Sequence, residues 1–283
     1  MAKTIPGPLT IAGLKLTPLL RLASGIVGCL ALATAQPLLE APNGGAQPVN
    51  QLSIAGNACG PAALLTAYRF GNENWQRAGG SIAGENDKQR LSYVIRNVAM
   101  RPSRHLGGRP RWSKSGVNVA DLCDISNELT AGQYLPQVRY EILFLKPRES
   151  QEKLLRRVHD RFAESLAKGL PPVISIRRFA KRKAGWTIID GHFVTVISMP
   201  KKLEKGSRSF PVSYIDPWGG KRCEGQISIS DRGFLAAPAE GQAVDPTLSP
   251  CLEAVFPQAL VGRNKVQKGE ETVLTLSAAI GRW

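Results

Sequence analysis

No apolar run in this 283-residue chain reaches the ~18 residues that a membrane-crossing helix needs, so a transmembrane span is not expected. Histidine is scarce, with three in the chain, and none of the five cysteines forms a C-x-x-C pair. A zinc site, or any other metal or cofactor, is therefore not expected. Aromatic residues are only 6% of the total, and Trp112 and Trp186 alone accompany the basic stretches. That is too little stacking surface for a nucleic-acid partner. Acidic residues are also few, 22 against 37 Lys and Arg, for a net charge of +15. What is present is otherwise ordinary. With 43% hydrophobic and 21% charged residues, wholesale disorder, a coiled coil and a collagen-like repeat are excluded.

The shortage of acid is complete in residues 1–35, which carry Lys3, Lys15 and Arg21, then the apolar stretch LASGIVGCLAL at 22–32, then Ala33-Thr34-Ala35. A positive start, a short apolar stretch and an A-x-A site predict a bacterial-type signal peptide, hence export to the periplasm or beyond. Processing as a lipoprotein at Cys29 ranks second. Removing three positive charges from +15 leaves +12. Four cysteines also remain: Cys59, Cys123, Cys223 and Cys251. In an oxidising compartment Cys223 and Cys251 are the candidates for a disulfide, while Cys123 reads as a buried thiol.

Residues 36–50, rich in Pro, Gly and Asn, read as an extended lead-in to one domain over 51–283. From Cys59 a helix that is apolar nearly all round runs to Gly71, the signature of a central buried helix. Further helices are expected over 87–100, 118–129 and 149–168, with a basic Gly/Pro loop over 101–116. Strands are expected over 138–145, 173–178, 192–198, 211–215 and 226–230, and a last one over 252–261. Helices first and antiparallel strands second predict an α+β fold.

Three short segments carry residues suited to chemistry. In Asn57-Ala58-Cys59-Gly60-Pro61 the thiol begins a helix, where unpaired N–H groups and the dipole favour a thiolate and can bind an oxyanion. In Gly191-His192-Phe193-Val194 a histidine opens an apolar strand, and in Tyr214-Ile215-Asp216-Pro217 a carboxylate ends one. Taken singly, each also reads as structure: a core thiol, a satisfied histidine, an Asp-Pro turn.

Taken in order, with Gln51 upstream, NACGPAALL at 57–65, GHFVTVI at 191–197 and YIDPWGG at 214–220, the chain resembles the papain-like cysteine peptidases. More narrowly it is similar to their bacterial double-glycine-peptidase-like subgroup. The resemblance implies a nucleophile helix packed on an antiparallel sheet. It implies Cys59 as nucleophile, His192 as general base and acid, Asp216 as the carboxylate that orients it, and Gln51 as oxyanion donor. Asn57 is an alternative donor, because Gln51 lies eight residues before Cys59. The implied activity is an exported thiol hydrolase acting on a peptide or amide bond. A binding protein on the same scaffold, and an acyl transferase with the same triad, are the alternatives. The basic runs at 101–114, 177–183 and 201–202 suggest an acidic or envelope-associated protein or peptide as partner.

Overall fold

Four of the five described α-helices begin on a side chain that caps them. In the computed structural model, which describes residues 36–183, 185–232 and 250–283, strand β1 (Leu38–Glu40) leads into α1 (Cys59–Phe70). Then come α2 (Glu73–Ser81), α3 (Asp87–Tyr93, continued by a π-helical turn to Ala99), the hairpin β2 (Trp112–Ser113) and β3 (Gly116–Val117), and α4 (Val119–Thr130). Asn72, Asn86, Asn118 and Ser150 accept backbone N–H bonds at the starts of α2, α3, α4 and α5 (Gln151–Ala167), and each helix has an acid in its first turn. Helix α1 has neither a side-chain cap nor an acid there.

The remaining strands are β4 (Arg139–Ile142), β5 (Val173–Arg182), β6 (Gly185–Pro200), β7 (Ser209–Asp216), β8 (Lys221–Ser228), β9 (Glu253–Val255) and β10 (Thr272–Gly281). They form one antiparallel sheet in the order β1-β6-β5-β10-β9-β8-β7, and β6 also pairs with β7. The six strands from β5 to β10 thus close into a ring, with β1 and β4 attached outside it. Residues 36–283 make one compact unit, α+β as expected.

Alternation along the central strands feeds two cores. Ile174, Ile176, Val194 and Val196 join α5 through Leu154, Val158 and Phe162. Val173 and Phe193 join α1 through Ala62, Ala63 and Tyr68. Thr195 locks α1 to the sheet, its hydroxyl donating to the Ala63 carbonyl at 2.8 Å.

Several elements differ from the sequence expectation. Helix α2 and the β2–β3 hairpin lie where none was expected, and the strand expected at 252–261 shrinks to Glu253–Val255. The last strand is β10, between β5 and β9 at the heart of the ring. His192 does not open a strand but stands midway along β6.

The expected disulfide is corrected outright. No bridge joins Cys223 and Cys251. Ser228 pairs with Glu253, so Cys223 lies five positions to one side of that pair and Cys251 two to the other. Seven residues of strand, at ~3.3 Å each, put them roughly 20 Å apart, whereas a bridge needs Cα atoms within about 7 Å. The signal-peptide expectation, with Cys29 in it, lies outside the described residues.

Candidate active site

Cys59 is the first residue of α1, buried except for 8% of its surface. Burying the helix on every side needs small residues, and Gly60 and the following alanines supply them. A Cβ on Gly60 would sit 2.5 Å from Val117 Cγ1 of β3. Glycine is therefore what lets the hairpin close over the start of α1. The hairpin is tied down on both sides: Asn57 Nδ2 donates to the carbonyls of Ser113 and Lys114, both at 3.1 Å, and Trp112 Nε1 donates to the Asn57 carbonyl at 3.2 Å.

His192 and Asp216 meet beside Cys59. The His192 Nε2 and Asp216 Oδ1 are 2.7 Å apart, both side chains buried. Cys59 is a side-chain hydrogen-bond partner of the same imidazole. With Nε2 engaged by Asp216, Nδ1 is the nitrogen left for sulfur. Burial alone would push the His192 pKa below 6.5, but bonds to Asp216 and Cys59, and the negative charge on each, outweigh it and carry the pKa up to about 10.

Local irregularities aim these groups. Arg178 pairs with Asp190 but Phe179 with Ile188, so Ile189 is an extra residue in β6 just before His192. Such a bulge turns the alternation of the strand and re-aims the side chains beyond it. Asp216 ends β7 and is joined to Lys221 of β8 by Pro217-Trp218-Gly219-Gly220, with φ of +91° and +62° at the two glycines. That tight reversal lets Trp218 N–H donate to Asp216 Oδ1 at 2.8 Å. The turn is pinned in turn to the loop before α1, by Gln51 N–H to the Pro217 carbonyl at 2.9 Å and Gly219 N–H to Asn50 Oδ1 at 3.2 Å.

The two side chains expected as oxyanion donors are both held by backbone. Gln51 is fully buried, its Nε2 donating to the Gly56 carbonyl at 2.5 Å and its Oε1 without a partner among the described residues. Asn57 spends its amide on the hairpin. Backbone N–H groups at the uncapped start of α1 remain beside the sulfur.

A cavity of about 720 Å³ and a second of about 540 Å³ adjoin at Cys59 and His192, with Gly116, Asp190 and Gly191 lining both. The far wall of the larger is the segment 260–265, whose first two residues the sequence pattern assigns to the end of the last expected strand. Arg178 Nε holds it through the Val261 carbonyl at 2.5 Å, and Lys265 pairs with Asp190 at 3.2 Å. Only Gly262 marks it in the sequence, at φ +64°. Trp218, from the YIDPWGG segment, lines the same cavity, a place that no pattern in the sequence assigns it.

Among the described residues, His105, Asp121 and Asp124 are the one cluster with metal-ligand spacing. Asp121 is already satisfied by Ser103 and Asn118. No described helix is long and apolar enough to cross a membrane. No family model, curated protein or solved structure matches the chain, so the functional reading rests on the site itself.

Proposed function

We propose that this protein is a thiol hydrolase of papain-like type that cleaves a peptide or amide bond. The observation that carries the reading is the buried His192 held between Cys59 and Asp216, at the uncapped start of α1. In the proposed step the Cys59 sulfur attacks the substrate carbonyl as a thiolate paired with the protonated imidazole. The oxyanion is received by the Cys59 backbone N–H. Gln51, which has a second amide hydrogen beyond the one given to Gly56, is the side-chain donor. His192 gives its proton to the leaving amine as the C–N bond breaks, leaving a thioester. It then takes a proton from water, which attacks the thioester and frees the acid and the thiolate. Asp216 keeps the ring in place throughout.

The test is alkylation by iodoacetamide at neutral pH. Cys59 is expected to react fast, and to lose roughly 10²-fold or more in rate in His192→Ala. Cys123, which burial pushes up to about 12, and Cys223, which burial also raises, stay slow. Equal rates at Cys59 in both proteins would exclude an activated nucleophile.

A further inference from the structure

The charges around the cleft are unevenly paired. Its carboxylates are Asp190 and Asp216, and both are engaged, by Lys265 and by His192. Among its cations, Lys265 and Arg111 are paired, the latter with Glu128. Four others have no carboxylate within ion-pair distance among the described residues: Lys114 and Arg263 in the larger cavity, Arg109 and Arg177 in the smaller. Two unmatched positive charges therefore line each of the two cavities that adjoin at the reacting pair. Between them, Gly116 and Gly191 line both cavities and offer walls without side chains, against which an extended backbone can lie.

We propose that the cleft selects a peptide bearing acidic side chains on both sides of the bond that Cys59 attacks. This rests on the hydrolase reading above. Lys114 and Arg263 receive the carboxylate on one side, and Arg109 and Arg177 the one on the other. Cations divided into two pairs about a central carbonyl site suit discrete carboxylates. A uniform polyanion would meet an unbroken basic stripe, and here Asp190 interrupts it at the centre. The charges are largely exposed, so each contact is modest, and the preference comes from their number.

Binding separates this proposal from the reading it rests on. Fluorescent peptides with Glu flanking a central amide on both sides, on one side, or replaced by Gln, are titrated against full-length Cys59→Ala, which cannot turn over. Each Glu is expected to tighten binding about threefold, hence about tenfold for the pair, at low salt. The gain should vanish near 1 M NaCl, where the screening length is ~3 Å. Arg263→Gln should reduce the benefit of Glu on one side only, and Arg177→Gln on the other, with Lys114 or Arg109 keeping the remainder. Equal affinity for Glu and Gln peptides overturns the proposal, even if the wild type cleaves both. Tighter capture of polyphosphate than of the diacidic peptide also overturns it, in favour of an anionic polymer. A Glu preference without cleavage of any peptide by wild-type protein upholds the charge selection and overturns the hydrolase reading instead.

Discussion

His192 stands buried between Cys59 and Asp216, and that position sets its pH behaviour. An imidazole raised from 6.5 to about 10 stays protonated through neutral pH. The proposed hydrolysis is therefore expected to fall on the alkaline side as pH rises through about 10, when His192 loses the proton it would give the leaving amine. Removing the Asp216 charge in Asp216→Asn should move that limb downward, which a pH–rate profile reads directly. Stability is linked with the same sign. The contribution of His192 is fully present below 6.5, the unfolded value, and is lost as pH climbs through about 10. Denaturant midpoints of wild type and Asp216→Asn should accordingly converge toward the alkaline end.

At the scale of elements, the start of α1 and the β2–β3 hairpin form one device. The helix is left uncapped where the sulfur lies, and the hairpin closes over it through Asn57, Trp112 and the contact of Val117 with Gly60. A methyl group at position 60 has nowhere to go without displacing Val117, a stiff β-branched side chain. Gly60→Ala should cost about 1–3 kcal/mol by overpacking, measured by urea denaturation. It should also slow alkylation of Cys59, because the hairpin and the loop before the helix move together. Loss of stability with an unchanged labelling rate would separate the two and refute the coupling.

For the molecule as a whole, the ring of strands is what keeps His192 in register. Leu276 of β10 pairs with Ile176 of β5, and Ile176 pairs with His192 of β6. The chain's last strand thus stands two strands behind His192. Leu276 is fully buried in the ring's core. Leu276→Ala is expected to destabilise by about 2–5 kcal/mol, as a shift of the urea midpoint at constant slope. Folded protein should still label Cys59 at the wild-type rate. A labelling defect in the fully folded variant would mean that packing at β10 aims His192 directly.

Much of this architecture is legible in the sequence. The unbroken apolar face after Cys59 requires burial on all sides, which only a central helix provides, and α1 is that helix. The helix starts at Asn118 and Ser150 and the apolar runs in β5, β6 and β7 reflect capping and alternation, which are local. The order of Cys59, His192 and Asp216 is visible there, but not that they touch; that meeting depends on how β6 pairs with β7 and packs on α1. Local pattern likewise could not place β10, because a strand with neighbours on both sides is recognised by its partners. Nor could it keep Cys223 and Cys251 apart, since both look like strand starts and only the register of β8 with β9 sets their separation. The wall at 260–265 and the pairing of Asp190 with Lys265 are of the same kind. Sequence determined which residues are buried, capped or charged, because those properties are carried by neighbours a few positions away. Tertiary structure decided which of them share a site, because sheet register and packing join residues from 24 positions apart, as His192 and Asp216 are, to 157 apart, as Cys59 and Asp216 are.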